Sequence, residues 1–317
     1  MYHLTVPTID LDRWINDALA RDPPRAKSLL VTLFGDAINP HGGKVWLGSL
    51  IALMAPFGIN DRLVRTSVFR LGEEGWLSGQ RDGRRSLYTL TPSGARRFQR
   101  AYDRIYRPAR TDWDGQWTLV MAPPETVDAG ARAALKKELL WEGYRGLATG
   151  LHAHPAADQD ALSELLARLE LTTNVFVCLA HEASLVGGKP LRDLADLHWD
   201  NAPIAAAYRD FLVAFTPLAN ALEADPESLK RHAPQVAFVM RSLLIHAFRR
   251  IQLHDPHLPA ALLPSDWPGV AAYDLSQRLY RLTAPTSEVH LMQLLLEEDP
   301  GANVAAGDFH ERFMAPA

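Results

Sequence analysis

Cysteine is almost missing from this 317-residue chain, in which Cys178 is the only one. A single thiol excludes an intramolecular disulfide, and within the apolar run VFVCLA it reads as a packed small residue rather than a nucleophile. Long apolar runs are missing too. No stretch approaches the roughly 18 apolar residues of a membrane span, and the opening MYHLTVPTIDLDRW carries acidic residues where a signal peptide has its apolar core. The expectation is a soluble, cytoplasmic chain with no membrane partner. Catalytic signatures are equally absent: there is no GxxxxGK[ST] phosphate loop, no GxSxG elbow and no HExxH pair, and no two carboxylates stand at a convincing spacing. No enzyme class gains support from motifs, no cofactor is implied, and no internal repeat is visible.

What the chain has is arginine concentrated in one place. Residues 25 to 110 hold 15 Lys+Arg against 6 Asp+Glu, a balance of +9, while the whole chain carries −4, so the remainder carries −13. A basic module on an acidic body fits a duplex-binding head, because sequence-independent DNA affinity comes largely from phosphate neutralisation. A structural nucleoid protein would be basic throughout. Within this module, GINDRLVRTSVFRLGEEGWL followed by SGQRDGRRSLYTLT (residues 58–91) reads as a recognition helix running into a basic β-hairpin. Asn60 suits the N-cap, Ile59 and Val64 suit a hydrophobic staple, and Gly72 and Gly75 mark the helix end. At 100° per residue Val64, Val68 and Leu71 share the inner face, Arg62, Thr66, Phe69 and Arg70 point outward, and Arg65 lies on the flank. Leu87 to Leu90 form a return strand, with Arg81, Asp82, Gly83, Arg84 and Arg85 at a polar tip. The candidate DNA contacts are therefore Arg62, Arg65, Thr66, Phe69 and Arg70 from the helix and Arg81, Arg84 and Arg85 from the wing.

The rest of the chain predicts an α+β protein. Residues 1–24 form a lead-in stopped by Asp22, Pro23 and Pro24. Residues 25–110 form a winged helix-turn-helix domain: helices in AKSLLVTLFGDAI and KVWLGSLIALMAPFG, the recognition helix, the wing, and a basic connector helix ARRFQRAYDRIYRP. Residues 111–187 alternate strand QWTLVMAPPE, helix ARAALKKELLWEGY, strand RGLATGLHAHP, helix DQDALSELLARLE and strand NVFVCLAHE, an order that fits a ferredoxin-like domain. After Gly187, Gly188 and Pro190, residues 188–300 form a helical C-terminal domain, and 301–317 a tail. His152 and His154 alternate on one strand face, with His181 and His198 further on. Without a cysteine partner or metal-ligand spacing they read as surface or core histidines, and no metal is expected. Lys136 and Lys137 read as a solvated helix face.

Four segments carry a family likeness: VRTSVFRLGEEGWL with GRRSLYTLT, then WDGQWTLVMAPPE, LWEGYRGLATGLHAHP and HAFRRIQLHDPHLPAALLPSDWPG. Together they resemble the PaaX family, repressors of phenylacetic acid catabolism, over most of the chain. DPHLPAALLPSDWPG is the most specific of them, since a winged helix alone is widespread. The resemblance implies a homodimeric repressor with a winged-helix head, a ferredoxin-like middle domain and a helical C-terminal domain. It also implies a double-stranded DNA operator, and release from it by an aryl-CoA effector, typically phenylacetyl-CoA. Phe69 departs from the small polar residue expected at its outward position, and an apolar ring there suits thymine methyls.

For the effector, His246, Arg249 and Arg250 lie on one helix ahead of His254, Asp255, Asp266 and Trp267. The arginines suit the phosphates or carbonyl of a CoA thioester and Trp267 its apolar end. The same residues equally fit a rigid corner packed by Trp267, with Arg249 paired to Asp255. The alternative function is an enzyme, either a nuclease on the ferredoxin-like module or an acyl-CoA hydrolase in the helical domain, and fold analogy alone supports it. A nuclease requires an acidic metal ligand at the end of its first strand, where this chain has MAPPE, with Glu125 only.

Overall fold

Helix formation begins earlier than the sequence reading puts it. In the computed structural model, which describes residues 9–108, 113–181, 192–306, 309 and 311–314, helix α1 (Leu11–Arg21) already belongs to a core. Asp10 caps it by accepting from the Arg13 amide at 3.0 Å. Leu11 and Ile15 are buried, and Trp14 meets Phe215 edge-on at 5.5 Å between centroids. Pro23 and Pro24 do stop the helix, but stopping a helix does not keep its apolar stripe from packing, so this segment is more than a lead-in.

Helix α2 (Ala26–Leu33) runs on into a π-helical turn over Phe34–Ile38. Leu29 to Leu33 are all buried because the helix packs against two others introduced below, over residues 61–73 and 234–252. The next apolar stretch is not a single helix. Strand β1 (Lys44–Trp46) comes first, then α3 (Leu47–Met54). After them come α4 (Asp61–Glu73), β2 (Leu77–Asp82), β3 (Arg85–Leu90) and α5 (Pro92–Tyr106). The sheet order is β1-β3-β2, antiparallel, with Val45 opposite Tyr88 and Leu77 opposite Leu90. Helices with a three-stranded wing sheet are the winged helix-turn-helix arrangement.

Residues 113–181 build the second sheet. Its elements are β4 (Trp117–Met121), α6 (Ala129–Trp141), β5 (Arg145–Ala148), β6 (Leu151–His154), α7 (Gln159–Arg168) and β7 (Phe176–Ala180). RGLATGLHAHP, expected as one strand, reverses at Thr149 and Gly150 into the β5–β6 hairpin. The order is therefore βαββαβ with sheet order β5-β6-β4-β7, antiparallel throughout, which is the ferredoxin-like topology. Val120, Leu135, Leu139, Leu162 and Leu165 form one core with α6 and α7. Trp117 and Ala153 form another with Ala195, Trp199, Leu258 and Leu262.

The helical remainder comprises α8 (Arg192–His198), α9 (Ala202–Ala224), α10 (Pro234–Gln252) and α11 (Pro268–Glu298). The folded chain divides into two compact units that interleave along the sequence: 1–108 with 208–253 and 269–317, and 109–207 with 254–268. Most of the helices that the sequence sets apart as a C-terminal domain thus share a unit with the head, whereas residues 254–268 join the ferredoxin-like unit. The expected break at Gly187, Gly188 and Pro190 lies outside the described residues. The expected tail is no tail in its described part, because Phe313 is fully buried with ring centroids 5.2, 5.4 and 5.3 Å from Tyr106, Tyr273 and Tyr280.

Candidate nucleic-acid interface

Local chemistry sets both ends of α4. The Asn60 side chain accepts from the Leu63 amide at 3.0 Å, and Ile59, Val64, Val68 and Leu71 are all buried. At the other end Gly75 takes φ 71°. The Trp76 amide returns to the Leu71 carbonyl and the Gly75 amide to the Gly72 carbonyl, both at 2.9 Å, which is a Schellman stop. The helix is thereby ended before the wing begins. Arg62, Arg65, Thr66, Phe69 and Arg70 face solvent as expected, with Phe69 66% exposed. Thr66 Oγ1 donates to the Arg62 carbonyl at 2.8 Å, and Arg65 Nε lies 2.6 Å from Asp61 Oδ1. An exposed i,i+4 pair contributes about 0.3–0.5 kcal/mol. Asp61 therefore holds Arg65 only weakly.

The wing turns on two residues between Asp82 and Arg85, with Gly83 at φ 59° in the first position, as a type II′ turn requires. Arg81 and Arg84 stand exposed beside it. Arg85 is different. Its guanidinium lies 4.2 Å over the Trp46 ring, and Nη1 donates to the Glu298 carbonyl, at the last residue of α11, at 3.1 Å. It ties the wing to the fold rather than standing free for phosphate. Thr91 joins the neighbouring ends, accepting from the Gly94 amide at 2.9 Å and donating to the Gly75 carbonyl at 2.6 Å.

Beneath this surface lies a buried polar node that sequence reasoning missed. Asp36 sits in the π-helical turn with its side chain 2% exposed. Arg241 Nε from α10 donates to its Oδ2 at 2.9 Å, Arg312 Nη1 to its Oδ1 at 3.0 Å, and the hydroxyls of Tyr106 and Tyr280 to Oδ1 at 2.6 and 3.1 Å. The arginines also take the turn's carbonyls: Arg241 Nη2 reaches Asp36 O at 3.0 Å, and Arg312 reaches Asp36 O at 2.7 Å and Gly35 O at 3.1 Å. Arg241 further pairs with Glu288, whose other oxygen lies 3.1 Å from His41 Nε2. Burial opposes both arginine charges, yet the anionic and phenolic groups around them hold both pKa values above the ordinary arginine value. Burial, with Asp36 adding, also keeps the Tyr106 hydroxyl protonated. The one signal in sequence is an aspartate inside the apolar run LLVTLFGDAI.

Of the effector candidates, His246, Arg249 and Arg250 fall in the first unit and Trp267 in the second. His246 Nδ1 lies 2.8 Å from Thr32 Oγ1, and burial, aided by Arg249 and Arg250, pushes its pKa down from 6.5 to about 4. Arg250 Nη1 is 2.6 Å from Asp22. Arg249 donates through Nη2 to the Ser28 carbonyl at 3.2 Å and to its hydroxyl at 3.3 Å, while its buried Nε has no partner. Burial lowers its pKa to about 10. It pairs with Ser28 rather than with a carboxylate, leaving a half-buried cation whose charge is not neutralised.

His154 is held by the Ala156 amide at 3.0 Å and lies 3.1 Å from the Pro256 carbonyl; burial, with Lys136 adding, lowers the His152 pKa. Among the described residues no three His, Cys, Asp or Glu side chains gather as a metal site, and no single helix is long and apolar enough to cross a membrane. Cys178 is exposed, not packed, because β7 is an end strand of its sheet.

Three family models match in order along the chain: PaaX-like protein over residues 25–94, PaaX protein central Cas2-like domain over 110–194, and PaaX-like protein C-terminal domain over 199–293. The curated Transcriptional repressor PaaX of Escherichia coli is 37% identical over 277 residues, covering 87% of this chain and 86% of that protein. The solved structure of an uncharacterized protein from Mycobacterium tuberculosis is similar in fold, with a TM-score of 0.51 at 24% identity over 84% of this chain and 98% of that one.

Proposed function

The chain belongs to the PaaX family, and from that premise we propose that it is a transcriptional repressor that grips its operator with α4 and the wing. The observation that carries this is the outward face of α4. A helix fixed at both ends presents Arg62, Arg65, Thr66, Phe69 and Arg70 to solvent beside a wing with exposed Arg81 and Arg84. Helix side chains read base edges in the major groove, and wing arginines neutralise phosphate, which sets position without reading sequence. Phe69 is suited to a thymine methyl. Two heads on a two-fold dimer would read half-sites about 34–36 Å apart, one helical turn.

Release belongs to the same reading. An aryl-CoA thioester such as phenylacetyl-CoA is the effector, and Arg249 is the residue that meets one of its anionic groups, since a half-buried cation without a carboxylate gains from an incoming anion. Arg249 touches Ser28 of α2, and α2 packs against α4, so an anion at Arg249 has a physical route to the reading helix. Ligand must favour the DNA-free state by a real difference in affinity, here on the order of 1–3 kcal/mol.

The experiment is fluorescence anisotropy on a duplex selected by the protein from a random pool, with phenylacetyl-CoA, free phenylacetate or neither. Binding that weakens with the thioester alone, and an Arg249→Gln variant that binds DNA normally but resists release, support the reading. Thioester-insensitive wild-type binding removes the effector, and failure to select any duplex removes the repressor.

A further inference from the structure

We propose that the end of α11 and the stretch after it, residues 298–306, aim the wing at DNA by holding its root. This rests on the wing as a phosphate contact, the reading given above, and adds what positions it. Ser78 to Arg85 are all exposed, so this part of the wing has no core of its own to fix its direction. β1, the third strand, ends with Trp46 opposite Leu87. Beyond that pair the wing is a two-stranded ribbon, which is marginally stable at best by itself. Arg85 ties the ribbon back to the fold, with its guanidinium over Trp46 and a hydrogen bond to the Glu298 carbonyl.

Further contacts run from the same stretch to the chain around β1. Lys44 Nζ, at the start of the strand, lies 3.4 Å from Asp299 Oδ2. The Glu298 carboxylate sits so close to Gly48, in the first turn of α3, that a β-carbon there would collide with it, and the Asn303 side chain bears in the same way on Gly42. The Ala306 amide donates to the Pro40 carbonyl at 2.9 Å. Residues 298–306 thus touch the chain before, within and after β1, as well as the first residue of β3. Close packing does not replace these ties, because a cavity with room for about one water lies among Trp46, Ser49, Leu87, Leu295 and Asp299. Charge sharpens the case. Glu298 and Asp299 are acids at the root of a surface that meets phosphate, where charge alone favours neutral or basic residues. Holding the wing is a role that offsets that repulsion.

Two variants of the full chain separate positioning from charge, and neither removes an arginine: Asp299→Asn, and Asp299→Asn combined with Trp46→Leu. Charge alone predicts that both bind DNA more tightly, since one negative charge is lost and, in the double variant, Arg85 is released from its ring. Positioning predicts the opposite sign. Anisotropy on the selected and the scrambled duplex should show binding weakened on both alike, by about threefold for the single variant and about tenfold for the double, as one or two more side chains must be ordered on binding. Arg84→Ala should weaken wild type several-fold and the double variant hardly at all, because a wing that is not aimed cannot use its arginine. Hydrogen exchange of the free proteins should be faster over residues 78–89 in both variants and unchanged over α4, which reports that the head is folded. If α4 also exchanges faster in the double variant, Asp299→Asn alone decides. Asp299→Asn that binds as wild type or more tightly, with unchanged wing exchange, overturns the proposal, and so does an Arg84→Ala effect that is the same in every background. Arg84→Ala without effect in wild type overturns the reading of the wing and the proposal with it.

Discussion

Arginine does opposite work in two regions of the first unit. On the head's surface Arg70 and Arg84 stand in solvent, and around Asp36 the side chains of Arg241 and Arg312 are 1% and 2% exposed. The difference lies in who satisfies the donors. Arg241 spends Nε, Nη1 and Nη2 on Asp36, Glu288, Ser287 and a main-chain carbonyl. Arg70 and Arg84 make no ion pair with the described residues and leave their donors to solvent. A guanidinium filled by the protein is a tie, and an unfilled one is a contact in waiting. Arg85 and Arg249 lie between these extremes, the first mostly spent on Trp46 and Glu298, the second half-buried and not neutralised.

The largest effect that breaks this comparison is expected at the tie. Arg241→Ala leaves Asp36 with Arg312 as its one arginine partner and Glu288 with His41 alone, and should lower stability by about 3–5 kcal/mol in urea unfolding. A double-mutant cycle with Asp36→Asn should show strong non-additivity, since one network is being broken twice. A smaller and pH-dependent effect comes from His246. Its pKa is about 4 in the fold, because of burial, against an ordinary 6.5. Below 6.5 the unfolded chain binds the proton and the fold does not. The stabilisation is therefore complete above 6.5 and is lost progressively as pH falls from 6.5 toward 4, by up to about 3 kcal/mol in total. His246→Gln should flatten that part of the stability profile. Asn60→Ala removes the α4 cap while touching no arginine, and should cost about 1 kcal/mol. The smallest effect sharpens the contrast: Arg70→Ala should change stability by less than about 0.5 kcal/mol, as an exposed side chain with no ion pair among the described residues.

What sequence made legible follows the range of the interactions. The caps of α4 and the burial of Val64, Val68 and Leu71 depend on neighbours within a turn, and so do the exposed residues of the reading face. Arg85 was readable as part of a basic tip but not as a tie, because its acceptor is 213 residues away. The Asp36 node joins residues 205 and 276 positions apart, beyond any local periodicity. β1 has three residues, too few to show alternation against the helical pattern that follows it. The β5–β6 hairpin hid as one strand because each arm is only four residues long and the turn between them is only Thr149 and Gly150. Cys178 looked packed because apolar flanks do not distinguish an edge strand from a central one. Residues 254–268 were recognisable as a family signature, yet nothing in their composition assigns them to the ferredoxin-like unit.

The most direct test of the central claim, that α4 reads sequence while the wing holds phosphate, is a salt titration of Arg70→Ala and Arg84→Ala on the selected duplex and on a scrambled one. Arg70→Ala should lose about 1–3 kcal/mol on the selected duplex alone. Arg84→Ala should weaken both duplexes alike and lower the slope of log affinity against log salt by about one unit. Wild-type affinity and slope for both variants on both duplexes would contradict the account.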